Sequence, residues 1–156
     1  MPLPDATNYT DALYFYAKNE PFGEFSNFAY FGFYLNGKFY PTVEHFYHAA
    51  KFLDTAYQQK ILSAPTPKAA AELGKSRDHS IVHNWDQIRN HLMFLAVKRK
   101  FDHHQELKIL LLSTENRLII ENSPYDHYWG IGKNGNGQNQ LGKILMLIRA
   151  IYQLNK

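Results

Sequence analysis

YFGFYLNGKFYPTVEHFYHAAKFL, residues 30–53, changes its periodicity part-way along. Up to Tyr40 it sets aromatic runs on either side of Asn36-Gly37. That dipeptide is the strongest short hairpin signal, because both residues tolerate the positive φ of a tight type I′ turn. From Thr42 onward, Val43, Phe46, Tyr47, Ala50 and Leu53 recur with the spacing of one helical face. Pro41 lies at or just before the helix start, where its missing N–H costs little. A hairpin therefore hands over directly to a helix.

Working outward, residues 13–16 are apolar between polar flanks and read as a short buried strand. Thr66-Pro67, a run of alanines and Gly74 form a cap, a first-turn proline and a stop, so a helix fills the interval. Another helix is expected over residues 86–100, with Ile88, Leu92, Leu95 and Ala96 on its buried face, and a further one over 105–112. Residues 117–121 suggest a short strand. A last helix turns Leu141, Leu145, Ile148 and Tyr152 inward. Strands come early and helices dominate later, which is the α+β class. The expectation is a compact, mainly helical single domain over residues 1–156, core about 13–151, with a short early β-hairpin or small sheet.

The chain has 156 residues, 45% of them apolar and 20% charged, as in ordinary globular proteins. It lacks cysteine, which excludes disulfides, thiolate zinc sites and a thiol nucleophile, and agrees with a reducing compartment. No basic region followed by an apolar run opens the sequence, so no secretion signal is expected, and no apolar run is long enough to span a membrane. The cytoplasm is the expected location. A net charge of +3 is mild. Lys98-Arg99-Lys100, the one basic cluster, reads as the solvated end of a helix, because a nucleic-acid face needs a broader basic surface. Eleven tyrosines and eleven phenylalanines fit either a ring-rich core or a pocket that stacks a flat ligand.

Residues 121–143, ENSPYDHYWGIGKNGNGQNQLGK, form a long loop with five glycines and four asparagines. Two motifs are imitated there. Gly130-x-Gly132-x-x-Gly135 has the dinucleotide-binding spacing, but more loop follows it where a helix should open. Gly137 to Gly142-Lys143 resembles a phosphate loop, yet Ile144 stands where a magnesium-holding hydroxyl is required. What remains is a glycine-rich segment leading into a helix N-terminus, whose amides suit phosphate, or else a well-capped surface loop. Trp129 beside Gly130 offers a ring face to a base, or simply packs in the core.

On the first helix Glu44, His48 and Lys51 fall at i, i+4 and i+7, along one stripe distinct from the apolar one. The plain reading is a solvated face. The functional one is a carboxylate near a helix N-terminus, with a cation two turns on. His45 and His48 have no zinc-protease pattern and no third ligand, so no metal is expected. With nucleophile motifs absent, carboxylate acid–base chemistry is left, and Glu44 and Asp126 are the leading pair.

Taken in order, FSNF (residues 25–28), YPTVEHFYHAAKF (40–52), GKSR (74–77), Asn84-Trp85 with Arg89, the Met93, Ala96, Lys100-Phe101 pattern and SPYDHYWGIGKNGNGQNQLGKILMLIR (123–149) resemble the NADAR proteins. The bacterial stand-alone members of that family are the YbiA-like N-glycosidases. The resemblance covers residues 13–151 and implies an α+β domain built around a ribosyl-phosphate pocket. It further implies hydrolysis of the C–N bond between a sugar phosphate and an amino-pyrimidine, an early intermediate of riboflavin synthesis, as metabolite damage control. The rivals are removal of ADP-ribose from guanine, with nucleic acid as a partner, and a non-catalytic ADP-ribose or nucleotide binder. Where many bacterial members carry Gln, this chain has His48.

By position, the resemblance places the family's glutamate on Glu44, its aspartate on Asp126 and its ring on Trp129. Asn27 and Lys51 lie in two further family blocks. Breaking an N-glycosidic bond builds positive charge at the anomeric carbon, which a carboxylate can stabilise while another takes a proton from water. Glu44 is the preferred base. Lys51 and Arg77 are expected to neutralise phosphate, helped by the amides of residues 135–140. Trp129 or Trp85 stacks on the departing base, unless Trp85 only packs a helix start. Asn27, His48, Gly130 and Asn139 complete the expected substrate-binding set. The partner is a small ribosyl-phosphate or nucleotide. No cofactor is needed to add water.

Overall fold

In the computed structural model, which describes residues 11–156, Asn36 and Gly37 turn the chain with φ of 52° and 78°. Both angles are positive, as a two-residue hairpin requires. The elements run β1 (Ala12–Phe15), β2 (Phe33–Leu35), β3 (Lys38–Tyr40), α1 (Val43–Ala50), α2 (Thr55–Leu62), α3 (Pro67–Leu73), α4 (Trp85–His103), α5 (Gln105–Ser113), β4 (Leu118–Glu121) and α6 (Gln140–Leu154). A 3-10 turn at Gly23–Phe25 adds to these. The class is α+β, as expected. Residues 1–10, on which the expectation of no secretion signal rests, lie outside the described residues. The fold divides into a continuous unit, Asn27–His103, and a second that joins residues 11–26 to His104–Lys156.

In the continuous unit β2 and β3 pair antiparallel, Phe33 opposite Tyr40 and Leu35 opposite Lys38. Phe33 is fully buried, while Tyr34 and Phe39 face outward with their rings 5.2 Å apart. Helices α1, α2 and α3 gather Ala49, Phe52, Tyr57, Ile61 and Ala70 into one apolar cluster. The sequence stripe ran on to Leu53, but α1 ends at Ala50 and Leu53 is exposed. The chain leaves the helix there because Phe52 bridges to Ile81, while Lys51 O and Leu53 N bond to Val82 and Ser80. Helix α2 was not anticipated. Asp54 caps it through the amides of Ala56 and Tyr57, and it buries only Tyr57 and Ile61, too few to mark a face. Helix α3 begins at Pro67, capped by Thr66, and ends at Gly74, as expected.

Helix α4 is longer than its sequence suggested and is turned differently. Met93, Ala96, Val97, Lys100 and Phe101 are buried, whereas Ile88, Leu92 and Leu95 are only partly so. Residues 92–97 are apolar without a break, so spacing alone defines no unique face. Lys100, expected at a solvated end, is 1% exposed, its ammonium 5.8 Å from the ring centres of both Phe31 and Phe101. Arg99 of that basic run is exposed, as expected, and the partly buried Lys98 pairs with Asp102 at 2.7 Å.

In the other unit β1 and β4 lie parallel, Leu13 beside Ile119 and Phe15 beside Glu121. Leu13, Phe15 and Ile119 are buried, and Tyr14 points outward. Helix α6 lays Leu141, Leu145, Ile148 and Tyr152 inward, as its spacing predicts. Its first turn comes so close to β4 that a Cβ at Gly142 would stand 2.2 Å from the Ile119 carbonyl. That glycine serves helix–strand contact, which is why it imitates a phosphate loop without being one. Arg149, 4% exposed, donates to Thr114 Oγ1 and the Arg117 carbonyl, tying α6 to the end of α5. Among the described residues no helix is long and apolar enough to cross a membrane.

Candidate active site

Thr42 sets the phase of α1. It is extended (φ −146°, ψ 164°), and its hydroxyl accepts from the His45 amide at 3.2 Å, a cap that starts the helix at Val43. Glu44 then falls in the first turn, where the helix dipole favours a carboxylate. His48 Nε2 donates to Glu44 Oε2 at 2.7 Å, and their side chains are 17% and 12% exposed. The other oxygen, Oε1, carries no hydrogen bond among the described residues. Lys51 closes the helix with Nζ donating to the Gly74 carbonyl at 3.0 Å. The expected stripe is therefore real, but its first two members bond to each other.

Asn27 joins this group through its main chain, whose carbonyl accepts from Glu44 N at 3.3 Å. Its side chain is buried. Nδ2 reaches Met93 Sδ at 3.5 Å, and Oδ1 has no hydrogen-bond partner among the described residues. A buried acceptor left unpaired is costly, and it is suited to a donor supplied by a ligand or a water. Trp85 opens α4, 7% exposed, its ring 5.1 Å from that of Tyr47. Arg77 lies exposed beyond α3, with no hydrogen bond or ion pair among the described residues. His45 is engaged at both ring nitrogens, Nδ1 with Thr42 Oγ1 at 2.8 Å and Nε2 with the Ala64 carbonyl at 3.0 Å, and is a structural residue.

In the second unit Asp126 Oδ1 accepts from the amides of Tyr128 and Trp129 at 2.9 and 2.7 Å. Ser123 Oγ accepts from those of Tyr125 and Asp126. These nested turns lock the carboxylate's direction and leave Oδ2 without a hydrogen bond among the described residues. Trp129 is 9% exposed and meets Tyr128 edge-on at 4.9 Å. Gly130 is buried against β4, where a Cβ would lie 2.8 Å from the Glu121 carbonyl.

The glycine- and asparagine-rich segment departs from expectation. Its amides at Gly137, Gln138, Asn139, Gln140 and Leu141 donate to the carbonyls of Ile131, His127, Gly130, Tyr128 and Trp129. Gly135 N donates to Gly132 O. These N–H groups hold the loop to itself and are not open to phosphate. Asn139 likewise serves the fold. It adopts the left-handed conformation (φ 51°), its Nδ2 donates to Ile119 O and its Oδ1 accepts from Glu121 N, both at 2.9 Å. The long loop is stitched to β4 by its own side chain.

Gly74, Met93 and Ser123 are contact residues to which sequence reasoning assigned no site role, although all three fall in the family blocks and Gly74 also read as a helix stop. Among the described residues no three His, Asp or Glu side chains gather as metal ligands.

The NADAR domain model matches residues 14–152. The chain belongs to the NADAR family. This NADAR protein is 38% identical over 142 residues to N-glycosidase YbiA of Escherichia coli, covering 91% of this chain and 89% of that one. The NMR structure of E. coli YbiA superposes with a TM-score of 0.87 at 37% identity, over 95% of this NADAR chain and 90% of the other. An N-glycosidase of Nostoc punctiforme is 41% identical over 140 residues, 88% of this chain and 90% of its own. The chloroplastic riboflavin biosynthesis protein PYRR of Zea mays is 34% identical over 163 residues, taking in 94% of this NADAR chain and 26% of the maize protein.

Proposed function

We propose that this NADAR protein is an N-glycosidase that hydrolyses the C–N bond between a ribosyl phosphate and an amino-pyrimidine of the early riboflavin pathway. The relatives named N-glycosidase and the maize riboflavin protein support that reading. The observation that carries it is Glu44: a largely buried carboxylate at a helix start, one oxygen held by His48 and the other unengaged.

The chemistry follows. As the bond from C1′ to the amine nitrogen breaks, its electron pair leaves with the nitrogen and the sugar becomes oxocarbenium-like. A water oxygen attacks C1′, Glu44 takes the water's proton, and the departing amine nitrogen takes a proton from solvent, to which Glu44 later returns its own. The products are ribose phosphate and free amino-pyrimidine. Asp126, held by two amides, is assigned to sugar-hydroxyl binding and charge stabilisation. Trp129, the ring in the family block that also carries Asp126, is assigned to base stacking, with Trp85 the alternative. Lys51 and the exposed Arg77 are the phosphate cations. Asn27 Oδ1 supplies an acceptor for a substrate donor such as an exocyclic amine. The partner is a small molecule and the setting the cytoplasm.

The test incubates the protein with the ribosylamino-pyrimidine phosphate and, separately, with ADP-ribosylated guanine, reading free base and sugar by mass spectrometry. Release from the first is expected, falling about 10²–10⁴-fold in Glu44→Gln, the usual weight of a general base. Release from the guanine adduct alone would transfer the activity to that substrate class. Release from neither would end the hydrolase reading.

A further inference from the structure

Glu44 and His48 stand one turn apart on α1, joined at 2.7 Å. The imidazole rests on Gly74: a Cβ built there would lie 2.2 Å from His48 Nδ1, 2.7 Å from Cγ and 3.0 Å from Cβ. Gly74 has φ −65° and ψ −15°, a right-handed conformation open to any residue. Glycine is therefore required there for space and not for backbone freedom. The carbonyl of the same residue accepts from Lys51 Nζ at 3.0 Å. Two consecutive turns of α1 thus close on Gly74, and the closure fixes the ring with Nε2 aimed at Glu44.

We infer that His48 is a positioning residue for Glu44 rather than a substrate ligand, and that Gly74 is the seat that sets its ring. The inference rests on the reading of Glu44 as the base. With Oε2 held by the imidazole, the carboxylate presents Oε1 in one direction. Without that hold it samples other rotamers, and the lost alignment lowers kcat more than it raises KM.

Kinetics on the ribosylamino-pyrimidine phosphate separate the roles. His48→Leu, which keeps bulk and removes the donor, is expected to lower kcat about 10- to 100-fold with KM little changed. His48→Gln, whose amide can donate to the same oxygen, restores most of that loss. Gly74→Ala lowers kcat in the native background but adds little to His48→Leu, because both remove one contact. An activity-independent readout is the 15N signal of His48 Nε2, assigned by its disappearance in His48→Gln. It should move in Glu44→Gln and in Gly74→Ala. If the native protein releases no base from either substrate, the hydrolase reading fails, and the 15N shifts alone judge the His48 contact. A His48→Leu protein with native kcat and raised KM, or an Nε2 signal unmoved by Gly74→Ala, would overturn the inference.

Discussion

Removing the Asn139 side chain should unfasten the long loop from β4. Its amide bridges two main-chain groups of that strand, the Ile119 carbonyl and the Glu121 N–H. Asn139→Gly keeps the left-handed backbone and strips both bonds. Each group left unpaired costs about 1–3 kcal/mol, toward the lower end for the part-buried Glu121 amide, so the sum is about 2–4 kcal/mol. Asn139→Ala retains a Cβ at φ 51° that glycine lacks, so it should fall about 1–2 kcal/mol below the glycine variant. Against a total stability of about 5–15 kcal/mol the alanine variant should sit near the edge of folding. Asn139→Asp keeps the acceptor for Glu121 but turns an oxygen toward the Ile119 carbonyl, so it should cost at least as much as glycine. Urea denaturation read by tryptophan fluorescence checks the series, since the Trp129 carbonyl accepts from Leu141 N in the same fold-back. Equal stabilities for the alanine and glycine variants would refute the strain argument. An alanine loss below about 1 kcal/mol would refute the bridging role as a whole.

Two further outcomes follow from exposed and buried groups. Burial holds the Tyr40 hydroxyl above the ordinary tyrosine range, so its contribution is intact below pH 10 and is lost as pH rises through the folded value. The urea midpoint should fall less between pH 9 and 11 (bracketing the usual tyrosine value of about 10) in Tyr40→Phe than in the native chain. Arg77→Ala should leave stability within about 0.5 kcal/mol, as for exposed residues without partners, while weakening inhibition by ribose 5-phosphate. Unchanged inhibition would remove Arg77 from phosphate binding.

Legibility tracked how local each cause is. Asn36-Gly37 and Thr66-Pro67 act within a few residues, and both elements stand where those signals put them. The stripe of Glu44, His48 and Lys51 was legible because helical spacing places side chains on one face without knowing the partner. Its partner was not. Gly74 meets His48 across 26 positions, and nothing at either residue announces the other. Helix α4 was mis-phased because a continuous apolar run offers several faces, and packing chose the one with Met93 and Lys100. In residues 127–141, glycine and asparagine content signalled turns correctly but could not say which carbonyls would take the amides. Composition suggested an anion nest; the hydrogen bonds made a fold-back instead. The parallel pairing of β1 with β4 had no local signature either, since each strand is four residues and the other lies at the far end of the chain.

That pairing has a consequence during synthesis. Ala12–Phe15 leaves the ribosome long before Leu118–Glu121 exists. At about 5–20 residues per second, the first strand waits roughly 5–20 s for its neighbour. Throughout that interval Leu13 and Phe15 have no sheet to enter, while Asn27–His103, complete in itself along the chain, already holds every residue of its own apolar cluster. A nascent chain stalled before residue 118 should therefore recruit holdase chaperones at its N-terminal strand, and release them once β4 emerges.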